Sequence, residues 1–203
     1  MKIYLLDRNI NMTDSWTKYF SKETDVHIVC DDFENFIKEH FGIDGIVSPG
    51  NSFGLMDGGY DAAITNYFGT WLMKDVQKAI LEYFSGEQSI GTCLTIETSL
   101  TNGMGDEILL LHTPTMRTPG KIYDIRVIYQ CMRETLIAAE HSNRTEIVIP
   151  AFGGCTGEVP YNDVARMMFL AYKQIKNPPK EINWGYARGI SSKLKEQKWI
   201  VNL

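Results

Sequence analysis

Ile43-Asp44-Gly45-Ile46-Val47-Ser48-Pro49-Gly50-Asn51-Ser52-Phe53-Gly54-Leu55-Met56-Asp57-Gly58-Gly59-Tyr60-Asp61 is the stretch on which the fold turns. A short apolar run predicts a buried strand over 43–48, and the glycine-rich segment from Pro49 to Gly59 predicts a loop. A helix is expected from about Asp61 to Phe68. Strand, glycine loop and helix in that order form a βα unit, and open α/β sheets hold ligands beyond the carboxyl ends of such strands. A helix start offers unpaired N–H groups to an anion, and glycine lets the backbone approach without a Cβ in the way.

Outward from this unit the same alternation repeats. Strands are predicted at 2–6, 26–30, 90–98, 108–112, 147–149 and 182–186. Helices are predicted at 12–20, 71–84, 121–142 and 162–175, with Asp31 or Asp32 capping a short one to Ile37 and a polar helix closing the chain. The segment 99–105 reads as turns. Phe33, Phe36 and Phe41 read as core. After Ile147-Val148-Ile149 comes a second glycine loop, Pro150-Ala151-Phe152-Gly153-Gly154-Cys155-Thr156-Gly157-Glu158-Val159-Pro160. Two such loops on one sheet edge suit two phosphates. Neither carries G-x-x-x-x-G-K-[ST] or G-x-G-x-x-G, which argues against a P-loop and a dinucleotide Rossmann site.

Composition frames these units without identifying them. At 203 residues, 44% apolar and 22% charged, the chain has the make-up of a globular domain. A single α/β domain over 1–203 is expected, its sheet largely parallel and its helices on both faces. A net charge of −5 gives no overall basic footprint for duplex nucleic acid or an anionic membrane. Asp7 and Arg8 interrupt the first apolar run, so no leader is expected there, and no run reaches the ~20 residues of a membrane span. The scattered Cys30, Cys93, Cys131 and Cys155 form no zinc pattern and suit reduced thiols in a cytoplasmic protein.

The quoted stretch resembles the signature of the macrodomain family: an Asp before a strand, an Asn at its end, a glycine run, and often Asp in a G-G-V-D-x-x-I context, here Gly58-Gly59-Tyr60-Asp61-Ala62-Ala63-Ile64. His112-Thr113-Pro114-Thr115-Met116-Arg117-Thr118-Pro119 and the 150–160 loop resemble a branch common in phages and bacteria. The likeness covers about residues 1–175 and is weak over the tail, 177–203. It implies a three-layer αβα sandwich with a mixed, mostly parallel sheet, binding ADP-ribose at the strand ends. For a phage-encoded chain, the host cytoplasm would be its compartment.

Carried over by position, the resemblance has Asp44 accept the adenine amino hydrogen bond and Asn51 hold the distal ribose. Gly58, Gly59 and Tyr60 wrap a phosphate and that ribose. Phe152, Gly153, Gly154, Cys155, Thr156, Gly157 and Glu158 wrap the diphosphate, and Asp61 acts on water at the ribose. Phe152, Trp184 and Tyr186 are the candidates for the aromatic on the adenine or ribose. Two departures are visible: Cys155 stands where the family has a glycine, and Ser48 where it often has an asparagine.

Each residue also has a plain role. Asp44 suits a turn, Asn51 can bond its own loop backbone, and Asp61 suits a helix start. Cys155 reads as an inert or ligand-facing thiol, and His112 as a structural hydrogen-bonder. Three functions follow from the resemblance. One is hydrolysis of an ADP-ribosyl linkage without metal or cofactor. The second is a reader or sponge for ADP-ribose or an NAD-derived signal, and the third a phosphatase on ADP-ribose 1″-phosphate. The partner is a small nucleotide or an ADP-ribosylated macromolecule, and the chain is expected to be a monomer.

Overall fold

The computed structural model describes residues 1–195. In chain order the elements are β1 (Lys2–Leu6), α1 (Ile10–Phe20), β2 (Val26–Val29), α2 (Phe33–Glu39), β3 (Gly45–Ser48), α3 (Gly59–Phe68) and α4 (Trp71–Phe84). There follow β4 (Leu94–Thr101), β5 (Glu107–His112), α5 (Arg126–His141), β6 (Glu146–Pro150), α6 (Tyr161–Lys176) and α7 (Trp184–Lys195). The six strands form one sheet in the order β2-β1-β6-β3-β5-β4, parallel except for β4.

Alternation along each strand builds the layers. Ile3, Leu5, Ile147, Ile149, Val47 and Leu111 face α1, α5 and α6, while Tyr4, Leu6, Ile46, Leu110 and Val148 face α2, α3 and α4. Strands buried on both faces read as unbroken apolar runs, which is why they are visible in the sequence. The result is the three-layer αβα sandwich. Because the strands are parallel, the carboxyl ends of β1, β2, β3, β5 and β6 share one rim, and both glycine loops rise from it.

Four expectations are corrected. Residues 182–186 form no strand. Asn183 Oδ1 accepts from Tyr186 N and a helix follows, its Ile190 and Leu194 packing on the α5–α6 side of the core. A short apolar run does not separate strand from helix. β4 continues to Thr101 through the supposed turns, and the reversal falls at Asn102–Asp106, where Asn102 Oδ1 accepts from Met104 N and Asp106 N. α5 begins at Arg126, leaving an irregular strap before it. Phe33 and Phe36 are core, but Phe41 is 65% exposed. Residues 196–203, part of the expected polar terminal helix, lie outside the described residues.

Candidate nucleotide cleft

Loop one leaves β3 and turns into α3. Asn51 shapes it: its Oδ1 accepts from Phe53 N (3.1 Å) and Leu55 N (3.3 Å), and its Nδ2 donates to Leu55 O (2.8 Å). This is the self-bonding role open to an Asn in a loop. Gly54, at φ +63°, docks the loop on α4, where a Cβ would stand 2.7 Å from Val76 Cγ1. Gly58 and Gly59 are different, since a Cβ on either would meet nothing within 4 Å. They face open space at the uncapped start of α3. The N–H groups of Gly58, Gly59 and Tyr60 find no acceptor among the described residues.

Beneath this loop the first turn of α3 carries Tyr60 and Asp61. The Tyr60 ring packs edge-on against Phe33 and its hydroxyl is buried without a partner among the described residues; burial pushes the phenol well above its usual range. Asp61 is 8% exposed and its Oδ1 accepts from Ser48 Oγ at 2.8 Å. Burial raises its carboxyl to about 7, with the Ser48 hydrogen bond opposing and the Asp57 charge reinforcing the shift. Asp61 is therefore more than a helix-start acid in contact with water.

Loop two leaves β6 at the neighbouring position. Gly153, at φ +75°, and Gly157 are required by packing: a Cβ on either would stand 2.7 Å from Ile122 Cδ1, and on Gly157 also 2.6 Å from Gly153 O. Gly154 is freer, its nearest neighbours being Ala151 Cβ at 3.3 Å and the Tyr161 ring at 3.6 Å. Cys155, Thr156 and Glu158 are exposed, and Glu158 pairs with Lys121 at 3.2 Å. From Gly153 to Gly157, five consecutive N–H groups have no acceptor among the described residues. Successive free amides of this kind form an anion-binding concavity.

A strap from His112 to Tyr123 laces the two loops together. Thr115 N donates to Gly50 O and Ser52 N to Met116 O, while Arg117 stacks on Phe53 and grips Glu87 with two hydrogen bonds. At the other end Ile122 N donates to Gly157 O at 2.9 Å. His112 is fully buried, its Nδ1 2.7 Å from Gln88 Oε1, and burial lowers its pKa to about 4. The structural role expected for His112 is present.

Other expected site residues are not brought to this rim. Asp44 precedes β3, at the amino end of the strand, opposite the glycine loops. Its oxygens are occupied by Thr145 N, Thr145 Oγ1 and Glu146 N at 2.8–3.1 Å, a clamp between β3 and β6 that leaves no lone pair aimed at the cleft. Phe152 is wholly buried in the core and presents no face to a ligand. Tyr186 hydroxyl accepts from Gln174 Nε2 near the far end of α6, and Trp184 starts α7, the helix that carries Tyr186, away from the loops. The carboxylates that do stand past strand ends on the rim are Asp7, Asp31 and Asp32. The sequence offers Asp31 or Asp32 as a helix cap, and Asp32 is the cap; the signal for the rim is that Asp7 follows β1 and that Asp31 and Asp32 follow β2, both parallel strands.

Among the described residues no helix is long and apolar enough to cross a membrane. The family model of the Macro domain matches residues 47–168, from loop one into α6, and the chain belongs to the macrodomain family. Solved structures agree on the fold. The macrodomain of Mycobacterium tuberculosis DarG superposes with a TM-score of 0.56 at 18% identity, over 66% of this chain and 84% of that one. A variant of the Oceanobacillus iheyensis macrodomain with ADPR gives 0.55 at 19% identity, over 65% and 70%. The Trypanosoma brucei macrodomain in complex with ADP gives 0.53 at 18% identity, over 68% and 54%. Comparison with curated protein sequences finds no match.

Proposed function

We propose that the cleft binds ADP-ribose, or a related NAD-derived nucleotide, by its diphosphate, and that it hydrolyses an ADP-ribosyl linkage. The observation carrying this reading is the pair of acceptor-free N–H rows, at 58–60 and 153–157, on loops that rise side by side from one rim. Such donors match phosphate oxygens and are already in place before the ligand arrives. The related macrodomains with ADPR and ADP bound support the same ligand class. For the adenine amino group the rim offers Asp7, Asp31 and Asp32, of which Asp7 follows β1, the strand beside β6 and loop two.

Hydrolysis is supported by Asp61, whose carboxyl, poised at about 7, is available as acid or base near neutral pH. In this reading the ionised carboxylate takes a proton as water attacks the distal ribose carbon, and the leaving group departs with the bonding electrons. The substrate is a free nucleotide or the ADP-ribosyl group of a macromolecule, and the reaction uses the chain's own groups. Calorimetry with ADP-ribose, AMP and ribose 5-phosphate tests the cleft; ADP-ribose is expected to bind tightest, and equal affinity for AMP would overturn the assignment. Turnover of ADP-ribosylated protein or ADP-ribose 1″-phosphate separates hydrolase from phosphatase, and binding without either turnover makes the protein a reader.

A further inference from the structure

Buried polar groups in folded proteins almost always have partners, so one without demands an account. Among the described residues His112 Nε2 is such a group. Its protonation state follows from its neighbour. Gln88 Nε2 is turned toward Thr92 O, Thr92 Oγ1 and His112 O, all acceptors or able to accept, at 3.2–3.3 Å. That orientation leaves Gln88 Oε1 facing His112 Nδ1 at 2.7 Å, so Nδ1 carries the hydrogen and Nε2 is a bare lone pair.

The lone pair is aimed at loop one. A Cβ built on Gly50 would stand 2.4 Å from His112 Nε2 and 3.3 Å from Asp61 Oδ2. Both atoms thus face one point, and only the missing side chain of Gly50 lets them approach it. Among the described residues no direct hydrogen bond joins them, and one water between them would complete the link. Asp61 Oδ1 is already taken by Ser48, which leaves Oδ2 as the oxygen free to carry a proton.

We propose that His112 is a positioning residue for Asp61: one water accepts the hydrogen bond from the proton borne on Asp61 Oδ2 and donates one to the unprotonated His112 Nε2, and this link fixes which oxygen carries that proton and how tightly. The other groups around the pair are accounted for. Asp57 on loop one adds its charge to Asp61, Tyr60 lies beside it with Asp7 behind at the end of β1, and Gln88 closes the far side of His112. The low pKa of His112, set by burial, keeps the imidazole an acceptor down to acid pH.

The pairing is read without ligand; its consequence for ADP-ribose rests on the function proposed above. A protonated Asp61 removes a negative charge from beneath the loop that would hold a phosphate.

The test is an NMR titration of the full chain, wild type, His112→Asn and His112→Gln. The Asn amide reproduces the Nδ1 donor to Gln88 but removes the Nε2 acceptor, and Gln restores an acceptor oxygen at the end of the side chain. In the wild type, ¹⁵N shifts should show His112 protonated on Nδ1 and bare on Nε2 throughout pH 5.5–8.5. The Asp61 carboxyl midpoint should fall by about one pH unit, tenfold in proton affinity, in His112→Asn and recover in His112→Gln. An Nε2-protonated tautomer, or one midpoint common to all three proteins, overturns the proposal. ADP-ribose affinity should weaken above pH 7 in the wild type and from about a unit lower in His112→Asn. Absence of any ADP-ribose binding would sink the proposed function while leaving the titration to judge the pair.

Discussion

Asp61→Asn should make the protein more stable, and the gain should depend on pH. In the unfolded chain the carboxyl titrates at its ordinary 3.8, in the fold at about 7. A raised folded pKa means that Asp61 weighs nothing against folding below pH 3.8, and that stability is lost as pH climbs from there through 7. The shift corresponds to about 4 kcal/mol once Asp61 is fully ionised, reached above pH 8. Asparagine is neutral at every pH. Its oxygen can still accept from Ser48 Oγ, and its amide supplies the hydrogen that His112 Nε2 lacks. His112, whose pKa is depressed by burial, contributes stability that is present above 6.5 and lost as pH falls toward 4; across that window folded Asp61 is protonated and neutral, as asparagine is, so the His112 contribution is nearly the same in both proteins. Urea denaturation of both proteins at half-unit steps from pH 4 to 8.5 should give curves that converge near pH 4, diverge through 7 and then run parallel. A difference independent of pH, or a variant less stable than wild type at pH 8, would show that Asp61 is not a buried carboxyl held near neutrality.

Asp44→Ala removes the acceptor for three donors on 145–146, so it should cost about 2–4 kcal/mol of stability in denaturation while ADP-ribose affinity and base preference stay as they were. Gly154→Glu places bulk and negative charge over the free amides of loop two; calorimetry should find ADP-ribose binding lost with circular dichroism unchanged, and normal binding would move the phosphates elsewhere. Cys155→Gly removes an exposed side chain from the same loop, so affinity should hold or rise, and a large loss would mean that the thiol touches ligand.

Most of the architecture could be read from the chain because parallel strands buried on both faces leave continuous apolar runs, and the helices between them leave one-sided patterns. What failed has physical causes. Asp44 and Asn51 flank one strand, and four residues at ~3.3 Å each set its two ends roughly 13 Å apart, on opposite rims. A ligand lying on the carboxyl rim meets Asn51 and not Asp44, because the body of the sheet stands between them. Phe152 sits just past a buried strand, where sequence offers no sign of which way its ring turns; it turns into the core. The His112–Gln88 contact joins residues 24 positions apart, and Gly50 reads as a loop glycine until its missing Cβ is seen to lie between two titratable groups.

The strap between His112 and Tyr123 has a thermodynamic meaning. A ligand that must gather two floppy loops spends part of its binding energy on their lost conformational freedom. Here Thr115, Ser52, Arg117 and Ile122 tie both loops to one segment when the chain folds, so that ordering cost falls on folding instead. The same segment therefore holds loop two at Gly157, through Ile122 N, and the floor of loop one at Gly50, through Thr115 N, beside the buried Asp61 carboxyl.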